Sequence, residues 1–142
     1  PMLDRWWLYE DMRVEDMLEV IGLGTHPRQA CGQSFEHSTK AFTIMQMPVN
    51  KLAGSFGVCD TAVDGVGCVW MLGTHRLYNI RNTFIRHSRE WLDELMGDYR
   101  MLTNLVAKSN LLSMRWLKWL GAEFIREPTE GYLEFIIINT KD

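Results

Sequence analysis

Residues Met101–Lys108 mix apolar and polar side chains and read as a half-buried strand. The pattern then changes. Leu112, Trp116 and Leu120 stand four apart, with Leu117 widening the stripe, which predicts a short amphipathic helix. Ser109 or Asn110 can cap it, because a short polar side chain accepts from the free amides of a first turn. Gly121 suits the left-handed position after a last turn, and Ala122-Glu123-Phe124-Ile125 leaves as a new strand.

The same reading extends over the rest of the chain. Trp6–Tyr9 predicts a first strand. Arg13–Ile21 predicts a helix with Asp11 or Met12 near its cap, ended by Gly22 and Gly24. Pro27 opens a second short helix over Pro27–Ser38, since a first-turn residue needs no amide. Strands follow at Lys40–Met47 and Leu52–Thr61, joined through Pro48-Val49-Asn50, and a third at Val66–Leu72 after an Asp64-Gly65 turn. The longest helix is expected from Leu77 to Met96, with Leu77, Ile80, Phe84, Ser88, Trp91 and Leu95 on one face and Gly97 as its stop. Two last strands, Glu123–Arg126 and Tyr132–Asn139, are joined by a reverse turn across Pro128-Thr129-Glu130-Gly131. Strands alternating with helices, without repeats or a linker-like stretch, predict one α/β (α+β) domain over residues 1–142. Its sheet is mixed but largely antiparallel, twisted and flanked by helices.

Composition narrows the function classes. The chain has 142 residues, enough to bury a core without staples, and 46% apolar against 23% charged residues argues against disorder. A net charge of −3 supplies no global attraction for nucleic acid or an anionic membrane, so neither is expected as a partner. Cys31, Cys59 and Cys68 fit neither a metal clip nor an even-numbered secreted framework, so no metal is expected and a reducing compartment is the simpler home. A two-residue loop at Asp64-Gly65 would place Cys68 opposite Thr61, which argues against a Cys59–Cys68 disulfide. No apolar run is long enough to span a bilayer, and Pro1-Met2-Leu3-Asp4 does not read as a signal peptide.

The order strand, Asn110, helix, Gly121, strand resembles the second half of the acyl-CoA-binding core of the GNAT N-acyltransferase superfamily. Upstream, Phe56-Gly57-Val58, a loop, the Trp-x-Leu-Gly-Thr run Trp70–Thr74 and then a long helix are similar to a phage-encoded branch of that superfamily. That branch includes the internal virion and assembly protein family of short-tailed phages, and the likeness runs roughly over residues 10–140. It implies a GNAT-like sheet whose strand before the long helix parts from its neighbour, with acyl-CoA lying in the gap. The residues it places at a cofactor are Leu72, Gly73, Thr74, His75, Arg76 and Asn110.

Two departures from the superfamily pattern bear on chemistry. The pyrophosphate of acyl-CoA is normally held by a Gly-rich loop at a helix N-terminus, because only Gly lets backbone amides approach phosphate closely. Here that loop is Gly73-Thr74-His75-Arg76-Leu77-Tyr78-Asn79, with its one Gly too early, though His75, Arg76 and Arg81 add positive charge. The general-acid Tyr expected seven residues after Asn110 is Leu117, which has no proton to give. Ser113 is the nearest hydroxyl, but its helical position reads as a different, packing face. Glu36, His37, Asp60 and Asp64 are the available bases, each also explained as a surface or turn residue, and Cys59 and Cys68 have no basic neighbour to make a thiolate. No catalytic residue is therefore assigned.

Three functions fit the resemblance. One is a virion-associated or assembly component with a degenerate acetyl-CoA site and no cofactor. Another is an active N-acetyltransferase using acetyl-CoA on a protein or small-molecule amine. The last is a phage inhibitor that binds a host protein. The first ranks highest, with phage structural proteins or a host protein as partners, self-association left open, and the virion or host cytoplasm as location. Trp116 shares its stripe with Leu112 and Leu120 and reads as core, whereas Trp119 falls on another face and Trp7 is one of a strand pair facing opposite sides. Trp119 and Trp7 are the interface candidates, since Trp buries much area for little rotamer loss.

Overall fold

The computed structural model describes residues 38–47 and 51–141. The strand at Trp6–Tyr9, the helices at Arg13–Ile21 and Pro27–Ser38, the connection at Pro48–Asn50, and Trp7, Cys31, Glu36 and His37 lie outside the described residues, apart from Ser38 itself.

Among the described residues six strands form one sheet: β1 (Lys40–Gln46), β2 (Lys51–Asp60), β3 (Val66–Gly73), β4 (Met101–Ala107), β5 (Glu123–Thr129) and β6 (Tyr132–Ile138). Their order is β1-β2-β3-β4-β6-β5, antiparallel everywhere except between β3 and β4. That one parallel contact is forced by the helical crossover between the two strands. The crossover contains α1 (Arg76–Asn79) and α2 (Arg81–Met96), and α3 (Leu111–Trp119) joins β4 to β5.

Strand β2 is buried from Leu52 through Val58 without alternation, so both of its faces are covered. Its small residues follow from that. A Cβ on Gly57 would meet the Trp70 ring of β3 at 2.6 Å and the Lys40 carbonyl of β1 at 2.7 Å. The Phe56-Gly57-Val58 and Trp70–Thr74 runs are thus two sides of one contact, with Gly57 opposite Trp70 in the ladder. The Trp70 indole ends on Ser38, donating to its hydroxyl at 2.7 Å. On the face covered by α2, rings pack in a chain from Phe42 through Phe56, Trp91 and Phe84 to Trp116, with successive centroids 5.1–5.5 Å apart. Leu102, Val106, Leu117, Phe135 and Ile137 complete the same core.

The long helix is interrupted, contrary to the continuous run expected from Leu77 to Met96. Ile80 leaves helical geometry at φ −109° and ψ 19°, separating a four-residue α1 from α2. The expected inward face is retained nonetheless: Leu77, Phe84, Ser88 and Leu95 are buried, and Ile80 and Trp91 pack partly against the core. The β2–β3 hairpin also differs. Cys68 pairs with Cys59, not Thr61, because Thr61 folds residues 61–65 into a wider loop. The Thr61 hydroxyl accepts from the Val63 amide at 3.2 Å and lies 2.8 Å from the Val66 carbonyl. Both cysteines are nevertheless free thiols. Finally, β5 runs on through Pro128, so the turn tightens to Glu130-Gly131, with Gly131 at φ 86°. Pro128 is tolerated because the ladder is irregular between Arg126 and Thr129.

Candidate functional site

Strands β3 and β4 pair only from Val66 to Cys68 and from Met101 to Thr103, although they continue to Gly73 and Ala107. Where they part, the Asn104 side chain spans the opening. Its amide donates to the Val69 carbonyl at 2.6 Å, and its oxygen accepts from the Leu105 amide at 2.7 Å. Beyond this strut lies a cavity of about 180 Å³, walled by β3 and β4 and by α2 and α3. Phe84, Trp91, Leu105, Trp116 and Leu117 make most of its surface apolar, and Ser88 and Ser113 add hydroxyls. Trp116 lines this space, but its indole nitrogen is itself buried out of reach of solvent and has no hydrogen-bond partner among the described residues.

Several candidate residues sit at the rim. Leu72 and Gly73 end β3, and Thr74 is fully buried in the turn that follows. The Thr74 amide donates to the Ala53 carbonyl at 2.8 Å, and its hydroxyl lies 2.9 Å from the carbonyls of Leu52 and Ala53. Thr74 also organises the helix start, accepting from the Arg76 amide at its hydroxyl (3.2 Å) and from the Leu77 amide at its carbonyl (3.1 Å). The Ile80 amide donates to Leu77. Four amides of this turn are therefore already engaged within the protein, where a phosphate grip needs them pointing outward. His75 is exposed, and one Arg76 guanidinium nitrogen lies 3.4 Å from the Leu52 carbonyl. Leu77 turns into the core instead of leaving room for an anion.

On the opposite rim, Asn110 is buried and caps α3, its side chain accepting from the Ser113 amide at 3.4 Å. Leu117 is buried in the cavity wall, a hydrocarbon where the superfamily pattern carries its proton donor. Ser113 corrects the sequence reading: it faces the cavity, three, four and seven residues before Trp116, Leu117 and Leu120 on the same wall.

Of the acid-base candidates, the two that are described, Asp60 and Asp64, stand away from the cleft. Asp60 accepts from the Tyr99 hydroxyl at 2.5 Å, with the Thr39 hydroxyl 3.1 Å from the same phenol. Burial and the Asp60 carboxylate raise the Tyr99 pKa. Asp60 and Asp64 line a separate shallow pocket with Lys40, Asp98 and Tyr99. Burial, reinforced by Cys59, pushes the Cys68 thiol up to about 11, which disfavours the nucleophilic thiolate. Among the described residues no three His, Cys, Asp or Glu side chains gather as metal ligands. No helix among them is long and apolar enough to cross a membrane.

Trp119 is half exposed, at 49%, on the outer side of α3. The Arg89 guanidinium lies 4.2 Å from its ring centroid and donates to its carbonyl at 3.1 Å. Neither the Arg89 contact nor the roles of Asn104 and the Trp116 indole were read from sequence. An amide-bearing Asn104 in the middle of a strand was the available signal for the strut.

Comparison with solved structures places this geometry. A GNAT-family acetyltransferase from Bacillus anthracis matches with a TM-score of 0.69 at 12% identity, over 97% of this chain and 90% of that one. The GNAT domain of S. lividans PAT matches with 0.63 at 10% identity, over 95% and 84%. An acetyltransferase of Bacillus subtilis, solved in complex with CoA, matches with 0.60 at 8% identity, over 89% and 93%. At such identities the likeness establishes the fold, which is GNAT-like as expected. No curated protein sequence matches. The family model described as bacteriophage T7, probable scaffold protein Gp13, matches residues 53–129, just over half of the chain, including both parted strands and the helices between and after them. The chain thus belongs to this phage family, built on a GNAT scaffold.

Proposed function

We propose that this protein is a virion-associated or assembly component of a phage, a GNAT body that works by binding another phage structural protein and has a degenerate acetyl-CoA site. The observation that carries this reading is the turn after β3. There the amides of Thr74, Arg76, Leu77 and Ile80 all donate inside the protein and Leu77 fills the space beside them. Leu117 removes the proton donor from the same cleft. The family's description as a probable scaffold protein points the same way. Trp119, held by Arg89 and half exposed, with Leu111 exposed at the other end of α3, is the surface we assign to the partner.

The cleft itself is the one observation favouring the alternative of a working N-acetyltransferase. Isothermal calorimetry with acetyl-CoA separates the two. The assembly reading expects no saturation below about 1 mM, and saturation at micromolar concentration that is lost in Arg76→Glu overturns it. Purified particles should contain the protein, and Trp119→Ala should reduce its incorporation while costing no more than about 1–2 kcal/mol of unfolding free energy, the loss expected for half-buried area and the Arg89 contact. Absence from every particle, with recovery in a complex with a host protein instead, identifies an inhibitor.

A further inference from the structure

The 18 acidic residues of the chain are unevenly spread: none falls between Gly65 and Arg89, and none between Met101 and Ala122. Those two stretches carry Arg86 and Arg89 on α2 and Arg115 and Lys118 on α3, all four exposed. The helices meet on this side, where the Arg89 guanidinium covers the Trp119 ring and donates to the Trp119 carbonyl. Arg86 stands three residues before Arg89, one turn along the same side of α2. On α3, Leu111, Arg115, Lys118 and Trp119 fall within about 100° of the helix circumference at 3.6 residues per turn. That strip is the one the protein leaves uncovered, with Leu111 exposed at 65% and Trp119 at 49%.

Part of this has a local explanation. A cation at the end of α3 satisfies a terminal carbonyl, which accounts for Arg89 alone. The ion pairs among the described residues join His87 to Glu90, Lys108 to Glu127 and Arg126 to Glu134, so none of them neutralises Arg86, Arg89, Arg115 or Lys118. A face built only for solubility has no use for an exposed Leu and Trp among its cations. These two lie eight residues apart, roughly 12 Å along the helix. Four cations around two apolar anchors are complementary to an anionic segment that also carries apolar side chains. A nucleic acid fits less well: it could stack on Trp119, but it offers nothing to Leu111, and a net charge of −3 opposes the approach of a long polyanion.

We propose that the outer face of α3, together with Arg86 and Arg89 of α2, docks an acidic polypeptide segment whose apolar side chains seat on Leu111 and Trp119. This deepens the assembly reading and rests on it for the source of the segment, another phage structural protein. It adds the partner's chemistry, a run of Asp and Glu interleaved with large apolar residues. Leu111 and Trp119 supply the buried area, and the cations steer the encounter and select against basic segments.

The probe is a synthetic peptide in which pairs of glutamates alternate with leucines. Its controls are the same peptide with glutamine for glutamate, the same with serine for leucine, and single-stranded DNA of equal length. Binding to the full chain is followed through the indole N–H resonances of protein labelled with ¹⁵N at tryptophan, with Trp119→Phe assigning the signal. The acidic peptide should bind saturably, move the Trp119 signal and weaken as sodium chloride rises from about 0.05 to about 0.5 M. Glutamine in place of glutamate should weaken binding about ten-fold, the factor for several exposed ion pairs together. Arg115→Glu combined with Lys118→Glu should weaken the acidic peptide by about the same factor and leave the melting temperature unchanged. The proposal is overturned if the acidic peptide does not saturate, if either altered peptide binds equally well, or if the Trp119 signal stays in place. Tighter binding of the DNA overturns it too and assigns the face to nucleic acid. All of these outcomes are read on the unsubstituted protein, so poor folding of a variant does not block them. Purified particles judge the assembly reading separately: absence from every particle removes that reading while peptide binding still stands, and particle protein that ignores the peptide does the reverse.

Discussion

The two ends of β3 solve the same problem in opposite ways. At its start, Val66–Cys68 lie against Met101–Thr103 of β4, and behind them Leu102 is fully buried. A Cβ on Gly67 would come within 2.7 Å of Val58 and 2.9 Å of Leu102. At its end the same two strands diverge, one Asn side chain bridges them, and a cavity takes the place of the ladder. Backbone partners and close packing hold the zipped end, whereas the open end keeps its spacing through a side-chain strut and the helices above it. The lesson is that one strand pair changes its means of cohesion along its length, from ladder hydrogen bonds to a side-chain strut.

The contrast can be broken at either end. Leu102→Ala at the zipped end should have the largest effect, about 2–5 kcal/mol of unfolding free energy by urea titration, because the site is enclosed on all sides and cannot collapse. A loss below about 1 kcal/mol would mean that this end is looser than its packing implies. Asn104→Ala at the open end should cost less, about 1–2 kcal/mol, since it leaves the Val69 carbonyl and Leu105 amide without the strut. Hydrogen exchange at Leu105 should accelerate far more than at Leu102. Equal acceleration at both positions would erase the distinction.

The smallest effect concerns Cys68, which sits in the zipped segment opposite Cys59. The fold favours its neutral thiol, with a pKa raised from 9.0 to about 11. Its contribution to stability is therefore complete below pH 9 and fades as pH rises through about 11. Cys68→Ser should flatten stability between pH 9 and 11. Iodoacetamide at about pH 8 should modify Cys68 slowly, and rapid labelling at that pH would show that the thiol is not held in this way.

Much of the architecture was legible from side-chain periodicity. The stripe from Leu77 to Leu95 identifies the inward face of the crossover, and the onset of four-residue apolar spacing at Leu112, just after Asn110, marks the junction of β4 with α3. The chain-order resemblance added the placement of the parted strands. Less was legible where two remote segments meet. The break at Ile80 lies inside an unbroken apolar stripe, where pattern alone cannot separate one helix from two. The Cys59–Cys68 register depended on how Thr61 folds its loop, a hydrogen-bonding choice with no periodic signal. The turn at Glu130-Gly131 tightened because an irregular ladder tolerates Pro128 within β5.

The candidate site follows the same division. Residue chemistry alone determined that the loop after β3 lacks a glycine cradle and that position 117 has no proton to donate, because both are properties of side chains wherever they stand. Only tertiary structure decided where the loop's amides point, that Ser113 faces the cavity, that Arg89 covers Trp119, and that the Trp116 indole is left without an acceptor among the described residues. The physical reason is that hydrogen bonds and cavities belong to pairs of surfaces. Sequence names each partner, but the crossover from β3 to β4 determines which of them meet.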